Sequence, residues 1–161
     1  MRKKDREVAD FHEMLGILNK CSVVRLGLNA TDYPYVVPMN FGFDSPGDSI
    51  TIWLHCAPEG MKLDLIKLNP RVGFEADCSH RLIVGEKACK STMEYESVMG
   101  FGNIAICNDS ASKVRGLQAI MRHYAPDRDF GMFSESELSA VCVLRLDVVN
   151  ITAKRLIKLV K

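Results

Sequence analysis

Two segments of the chain decide the fold: YVVPMNFGF (residues 35–43) and ITIWLHCAPEGMKLDLIKLNP (residues 50–70). Apolar side chains alternate through the first segment and the start of the second, which predicts two strands. A Pro-Glu-Gly turn then leads into a helix that we expect over residues 60–69, because Pro70 cannot continue it. The order of two strands and a helix after a tight turn predicts a hairpin meander.

Alternation also assigns the side chains of the first strand to two faces. Val37, Met39 and Phe41 share one face, whereas Pro38 and Asn40 lie on the other. A proline within a strand indicates an edge, a bulge or an unpaired segment. Exposed backbone beside Asn40 could hydrogen-bond the polar edge of a planar ring, and a strand at a barrel rim explains the pattern equally well.

The remaining elements follow at short intervals. Further helices are predicted over about residues 6–19 and from a serine cap at 110 or 112 to Pro126, a loop over 79–91, and further strands over 22–30, 71–77, 92–109 and 140–152. Gly100 and Gly102 indicate a bulge or bend within the longest strand. Five to seven short strands with helices at the margins favour a small antiparallel barrel over parallel βαβ units.

Composition limits the class of protein. The 161 residues, 47% of them apolar, predict one domain, and a net charge of +1 without runs of like charge predicts no nucleic-acid partner. No segment has the length and hydropathy of a signal peptide or membrane span, so we expect a cytoplasmic protein. Six cysteines without a C-x-x-C pair predict reduced, mostly buried thiols and no metal site.

Gly60 and Lys62 form a candidate anion site. The positive end of a helix dipole disfavours a cation, so a lysine in the first turn makes sense if it shares a phosphate with free N–H groups. An ordinary surface lysine is the alternative, and it is the simpler interpretation from spacing alone.

His55 is a second candidate. The alternation from Ile50 to His55 places Ile52 and Leu54 on one face, and Trp53 and His55 on the other. A histidine at a strand end could hydrogen-bond a ligand or transfer a proton near neutral pH, and a structural histidine is the open alternative.

Tyr95, Ser97, Gly100 and Gly102 form a third candidate, because missing side chains let a ligand approach the backbone closely. A strongly coiled barrel strand would explain the same glycines. No Ser-His-Asp order, P-loop or dinucleotide fingerprint is present, so hydrolysis and nucleotide-triphosphate chemistry rank low.

Taken together, PYVVPMNFGF, HCAPEGMKLDLIKLNPRVGFEAD and YESVMGFGNIAI resemble the flavin-binding split barrels related to pyridoxamine-phosphate oxidase. More narrowly, they resemble the 5-nitroimidazole-resistance branch. The likeness extends over about residues 2–147 and includes the N-terminal RKKDREV and the YAP after the last long helix. It implies a mainly β, six-stranded antiparallel split barrel with flanking helices that forms a homodimer with FMN, or alternatively FAD, at the subunit interface.

The resemblance also implies roles for particular residues. It places residues Val37, Pro38, Met39, Asn40 and Phe41 along the isoalloxazine, with His55 and Ala57 at its border. It assigns the phosphate to Gly60, Met61 and Lys62, and the rest of the cleft to Ser97, Val98 and Gly100. A histidine near the flavin is implicated in catalysis in the nitroimidazole branch, and His55 is the candidate here.

The implied activity is electron transfer from a reduced nicotinamide or another donor to a small acceptor such as a nitroaromatic. The chain ends in KRLIKLVK and lacks the Arg-Leu-x-Pro type of ending of the vitamin-forming oxidases, so pyridoxamine phosphate oxidation is not expected. Two alternatives stay open: a flavin carrier or sensor without turnover, and a split barrel that binds haem.

Overall fold

The computed structural model describes residues 4–158, in which strands and helices follow one another with short connections. The strands are β1 (Glu7–Val8), β2 (Val24–Leu28), β3 (Tyr35–Met39), β4 (Phe41–Asp44), β5 (Thr51–Cys56), β6 (Arg71–Ile83), β7 (Thr92–Cys107) and β8 (Cys142–Leu156). The α-helices are α1 (Phe11–Lys20), α2 (Met61–Leu68), α3 (Ser110–Tyr124) and α4 (Glu135–Ser139), and short 3₁₀ turns lie at Lys4–Arg6 and Ala88–Lys90.

All eight strands belong to one antiparallel sheet whose order is β3-β2-β6-β7-β8-β5-β4, with β1 paired to the far end of β8. The two outermost strands, β3 and β4, are consecutive in the chain and are separated by Asn40 alone. The prediction of one strand over residues 35–43 is therefore wrong, because the chain passes at Asn40 from one edge of the sheet to the other. The sheet therefore curls until its two edges come close, which produces a barrel with one unpaired seam.

The side chain of Tyr124 bridges this seam. Its hydroxyl accepts a hydrogen bond from the Phe41 N–H at 3.1 Å and donates one to the Ser22 carbonyl at 2.6 Å. The neighbouring His123 lies against the Phe41 ring, with 4.6 Å between ring centroids, and its Nε2 is 2.8 Å from the Cys21 carbonyl oxygen. The C-terminal end of α3 thus links β4 to the residues before β2, where no strand pairing exists.

Two hydrophobic clusters lie on opposite sides of the sheet. The barrel interior is filled by inward side chains of the strands, such as Leu26, Phe41 and Leu144, and by residues of α1 and α2. The smaller cluster lies under α3 and centres on Trp53 and Val143. These two clusters confirm the alternation expected along β5, because Ile52 and Leu54 face the interior whereas Trp53 faces α3.

The close contact between α3 and β4 depends on Gly42. A Cβ atom at this position would lie 2.2 Å from the Ala119 carbonyl oxygen, so any larger residue would push the helix away. Gly100 and Gly102 act similarly in β7, where a Cβ atom would lie 2.1 Å from the Asn150 carbonyl and 2.2 Å from the Asp147 carbonyl, respectively. The pairing of β7 with β8 shifts between these glycines, which confirms the predicted bulge.

A buried carboxylate fastens α1 to the barrel. Glu96, which is 2% exposed, accepts hydrogen bonds from Lys20 at 2.8 Å, from Arg155 at 2.7 Å and from the Ser79 hydroxyl at 3.0 Å. Although burial raises the pKa of Glu96, these hydrogen bonds outweigh that effect and hold it below its ordinary value.

The mainly β, antiparallel class with flanking helices is confirmed, and the strand count over the described residues is eight when the two-residue β1 is included. The position of Pro38 in the outermost strand β3 confirms the expectation of an edge. None of the helices over residues 4–158 is long and apolar enough to cross a membrane.

Several element boundaries differ from the prediction. The first helix begins at Phe11, not near residue 6, because Asp10 caps it and the preceding Glu7–Val8 pairs with β8. Residues 79–83 were predicted as loop, but they continue β6 past an irregularity at Ser79 (φ 59°) and pair with β7. The third helix is capped by Asp109 and not by a serine, and α4 with its capping box was missed.

We predict that Tyr124→Phe lowers the free energy of unfolding by about 1–2 kcal/mol, because the Phe41 N–H and the Ser22 carbonyl lose their common partner. Urea denaturation followed by the fluorescence of the only tryptophan, Trp53, measures the change. Tyr33→Phe is the matched control, since Tyr33 is 82% exposed. Equal stabilities of the two variants would contradict the bridging role.

Candidate functional site

The predicted residues of β5 and α2 meet Asn40 at one end of the barrel. Phe41 pairs with Leu54 in the β4–β5 ladder, so Asn40, one position beyond, lies level with His55. The turn that contains Ala57 follows directly and leads into α2. The structure therefore brings Asn40, His55 and the start of α2 to the same end of the barrel.

The start of α2 leaves backbone donors free. Gly60 is the N-cap residue with φ 131°, a conformation that side chains rarely adopt, and it offers no side-chain cap. The Leu63 N–H donates to the Gly60 carbonyl at 2.9 Å, whereas the N–H groups of Met61 and Lys62 have no acceptor among residues 4–158. Unsatisfied N–H groups at a helix start are suited to bind an anion.

Lys62 is half-buried and lies near Cys56. Burial raises the pKa of the Cys56 thiol to about 11 and the adjacent Cys142 adds to this rise, whereas the positive charge of Lys62 opposes it. Within the described part of the chain, the Lys62 ammonium forms no ion pair and no hydrogen bond. A half-buried cation without a protein partner beside free N–H groups is the arrangement that an anionic ligand would complete.

His55 lies on the same face of β5 as Trp53, but it is exposed whereas Trp53 is 3% exposed. Its neighbour across the ladder is Val143, and its imidazole makes no hydrogen bond or ion pair with residues 4–158. A structural histidine would use its ring nitrogens in the fold. The geometry therefore favours an imidazole that is available to a ligand.

The side chains predicted along the β3 segment divide between the two faces of the sheet. Met39 and Phe41 are 7% and 0% exposed in the barrel core, and Val37 packs against that core. Pro38 and Asn40 are exposed. A ligand on the outer surface could therefore contact Pro38 and Asn40 directly, but only the backbone of the other three.

The free edge of β3 provides that backbone. Pro38 lies opposite Arg25 of β2 and has no N–H to donate. The two residues therefore form a non-hydrogen-bonded pair, in which the backbone carbonyl of Pro38 points away from β2. By the alternation of an antiparallel ladder, the backbone groups of Val36 are also directed to the free edge. These groups can bond the polar edge of a planar ring.

The predicted β7 residues do not join this group within one chain. Two strands, β2 and β6, separate β7 from β3, which corresponds to three strand spacings or about 14 Å. Val98 is fully buried in the core, and Ser97 is 9% exposed. Gly100 has no room for a side chain, because a Cβ atom there would collide with the Asn150 carbonyl oxygen. This agrees with the alternative that the glycines of β7 serve the packing of a strongly coiled strand.

Sequence reasoning missed the apolar outer face of strands β3, β2, β6, β7 and β8. Val36, Met99 and Phe101 are 60%, 44% and 55% exposed there and line a groove of about 510 Å³ whose floor includes Gly73 and Gly100. Within residues 4–158, no helix covers this face. The alternation of YESVMGFG contained the signal, since it places Met99 and Phe101 opposite the buried Val98.

A charged patch borders this apolar face. Arg25 donates to Glu75 at 3.0 Å and contacts Asp77, whose other oxygen is 2.7 Å from His80 Nε2. Burial and the adjacent Asp77 raise the pKa of Glu75, although Arg25 opposes the rise. His80 lies on β6 and not in the loop that the sequence predicted.

A second group that sequence reasoning missed surrounds Asp44. Its carboxylate accepts hydrogen bonds from Trp53 Nε1 at 2.9 Å, from Arg115 Nε at 2.9 Å and from Arg122 at 2.7 Å. The residues come from β4, β5 and α3, so no local pattern in the sequence brings them together.

Comparison with known proteins agrees with this fold. Residues 10–155 match the family described as pyridoxamine 5'-phosphate oxidase. A solved structure described as a provisional 5-nitroimidazole antibiotic resistance protein from Bacteroides thetaiotaomicron shares 30% identity, with 92% of this chain and 85% of that chain covered and a TM-score of 0.79. A search of curated proteins gives no match.

Two more distant structures share the fold alone. They are the flavocytochrome Anf3 from Azotobacter vinelandii, at 17% identity, and an FAD and heme binding protein from Mycobacterium smegmatis, at 18%. The aligned parts cover 97% and 93% of this chain and 72% and 73% of the other chains, with TM-scores of 0.79 and 0.80. The family match over residues 10–155 and the 30% identity to the Bacteroides thetaiotaomicron protein show that the chain belongs to the pyridoxamine 5'-phosphate oxidase-related split barrels, in the branch of the 5-nitroimidazole resistance proteins.

Proposed function

We propose that this protein binds FMN at the end of the barrel where α2 begins and serves as a flavin-dependent oxidoreductase for a small acceptor. The observation that carries the proposal is Lys62, whose side chain is half-buried and whose ammonium has no hydrogen bond or ion pair with residues 4–158, next to the free N–H groups of Met61 and Lys62. The names of the flavocytochrome and the FAD and heme binding protein support a flavin as the ligand. FAD stays the alternative cofactor, and the cytoplasmic location stays a prediction from the sequence.

The residues at the start of α2 fit a phosphate group. Gly60 adopts φ 131° without side-chain crowding, so the backbone is open on the side where a ligand would approach. Two N–H donors and one ammonium would then share the phosphate oxygens, and the positive end of the helix dipole adds to the attraction.

The isoalloxazine would lie along the free edge of β3. Outward backbone groups of Val36 and Pro38 can bond its polar edge, and Asn40 stands between this strand and His55. The residues Ser97 and Gly100 of the same chain are about 14 Å from β3 across the sheet. We therefore assign them to the cleft formed with a second copy of the chain, with β7 of one protomer facing β3 of the other.

The apolar outer face supports such a homodimer. Val36, Met99 and Phe101 are large apolar side chains on one uncovered surface, and surfaces of this kind mark interaction sites. Arg25 and Glu75, which pair with each other at 3.0 Å within the chain, form a charged border to this apolar face.

The flavin, when bound, would accept electrons from a reduced donor and pass them to the acceptor. The protein would hold the phosphate, orient the ring along β3 and keep water from its apolar side. His55, exposed and without a hydrogen bond in residues 4–158, would donate a proton to the acceptor as it is reduced. A nitroaromatic acceptor is supported by the 30% identical relative, which is described as a 5-nitroimidazole antibiotic resistance protein.

Flavin binding tests the proposal directly. We predict that Lys62→Ala weakens FMN binding by roughly 1.5–3 kcal/mol, about 10- to 150-fold, and leaves riboflavin binding nearly unchanged, because only FMN carries the phosphate. Absorption and fluorescence titrations measure both ligands. Lys67→Ala on the same helix, where Lys67 pairs with Asp64 at 3.8 Å, is the control and should bind like the wild type.

Equal losses of FMN and riboflavin in Lys62→Ala would contradict the phosphate assignment. The absorption spectrum of the purified protein separates the ligand classes, because haem bands in place of flavin bands would favour the haem-binding alternative.

A second prediction concerns His55. His55→Gln should retain flavin and lower the steady-state reduction of a nitroimidazole with NADH or NADPH by about 10²- to 10⁴-fold, the usual loss when a proton donor is removed. His12→Gln on the exposed side of α1 is the control. Unchanged turnover would remove the catalytic role, and no reduction of the wild type by either donor would leave the carrier or sensor alternative ahead.

The dimer is tested on its own. We predict that Phe101→Glu shifts the protein from dimer to monomer in sedimentation velocity experiments, because each protomer would have to bury a carboxylate against the apolar face of its partner. Met132→Glu is the control, since Met132 is 97% exposed on the loop before α4. A wild-type protein that sediments as a monomer, or a Phe101→Glu variant that stays dimeric, would show that this face is not the interface.

A further inference from the structure

A groove of about 440 Å³ lies between the first turns of α3 and the β4–β5 and β8 strands, and none of the residues assigned to the flavin line it. Its lining combines two guanidinium groups, an indole and several hydroxyls, in particular Arg115, Arg145, Trp53, Thr51 and Ser112. Neither the resemblance nor the flavin proposal gives these residues a role. The groove is therefore a separate feature of the molecule.

Both arginines are held by a carboxylate through Nε alone. Arg115 Nε donates to Asp44 at 2.9 Å, and Arg145 Nε donates to Asp147 at 2.9 Å. The two Nη atoms of each guanidinium form no hydrogen bond with residues 4–158. Because a guanidinium offers five N–H donors, each arginine is fixed in place by one donor and keeps four for a ligand.

Asp44 organises the groove. It accepts hydrogen bonds from the Trp53 indole N–H and from Arg115. These two bonds hold the guanidinium over the indole ring, with Arg115 Cζ 5.8 Å from the ring centroid. Burial raises the pKa of Asp44, but the hydrogen bonds from Arg115 and Trp53 outweigh that effect and hold the pKa below its ordinary value. The carboxylate is therefore ionised at neutral pH and keeps the arginine anchored.

The charge of the lining favours an anion. When the anchoring carboxylates are counted, Arg115, Arg145 and Arg122 against Asp44 and Asp147 leave an excess of one positive charge. The side chains of Arg115 and Arg145 are accessible, with 60% and 50% of their surface exposed. The Ser112 hydroxyl also lines the groove, next to the Asp109 carboxylate that caps α3.

We propose that this groove is a second ligand site, which binds a phosphate group, either free or as a phosphomonoester. The free N–H groups of two guanidiniums are more than the two oxygens of one carboxylate can accept, whereas a phosphate offers three or four oxygens. The exposed Pro46 and the half-buried Val148 line the same groove and leave room for an organic group.

The only tryptophan of the chain lies in this groove, so its indole N–H resonance reports on the site. We predict that phenyl phosphate, added to ¹⁵N-labelled FMN-saturated protein, shifts this resonance saturably with a Kd below about 1 mM. Arg115→Gln and Arg145→Gln should each raise that Kd by about tenfold or more. Inorganic phosphate, titrated in parallel, separates the two sources, since tighter binding of phenyl phosphate indicates a phosphomonoester and equal binding indicates free phosphate.

Two controls make the result specific. Arg122 also pairs with Asp44 but does not line the groove, so Arg122→Gln should change the Kd by less than about twofold. Lys62→Ala should leave it unchanged, which separates this site from the proposed flavin phosphate site. The Nε–H resonances of Arg115 and Arg145 in the wild-type protein provide a second readout that needs no variant. No saturable shift up to about 10 mM, or an equal loss in Arg122→Gln, would overturn the proposal.

Discussion

The single residue between β3 and β4 is the constraint on which the rest of the structure depends. These strands lie at opposite edges of the sheet but are separated in sequence only by Asn40, so the sheet has to close on itself. The β2–β3 ladder ends at Met39, because after this residue the chain pairs with β5 and no longer with β2. The hydroxyl of Tyr124 supplies the two hydrogen bonds that the ladder lacks at that point.

The same constraint creates the candidate site. A fully paired barrel would have no free strand edge, but the seam leaves the outer edge of β3 without a partner. It also places Asn40 level with His55, just before the turn that begins α2. The unpaired backbone, the imidazole and the positive helix end are therefore consequences of one topological feature and not three independent ones.

Local patterns predicted the parts of the fold that local physics controls. The alternation along β5, the edge position of Pro38, the bulge near Gly100 and Gly102, and the start of α2 at Gly60 were all confirmed within a residue or so. The sequence did not predict β1 or the second half of β6. Neither segment shows the alternation of apolar and polar residues that marks a strand, and each forms a strand because β8 or β7 lies alongside it.

The candidate site could be predicted only in part for the same reason. Spacing identified Gly60 and Lys62, because a cation in the first turn of a helix is a local anomaly. It could not show that Lys62 has no partner in the described residues, nor that Gly100 is small because the Asn150 carbonyl lies where a Cβ atom would be. A glycine can leave room for a ligand or for another strand. Which of these applies depends on backbone that is distant in the sequence, so only the tertiary structure decides it.

The lysine and arginine side chains differ in how many of their N–H groups are bonded to other residues of the protein. This difference identifies where ligands can bind. Arg155 and Lys20 are used by the buried Glu96 and hold the barrel together. Arg115 and Arg145 are anchored at one nitrogen and keep the others free, whereas Lys62 is bonded to nothing in residues 4–158. N–H groups that no protein acceptor uses are the ones that a ligand can bind. By this criterion the start of α2 offers an anion the most completely free cation, and the groove beside Trp53 offers two cations that are partly used.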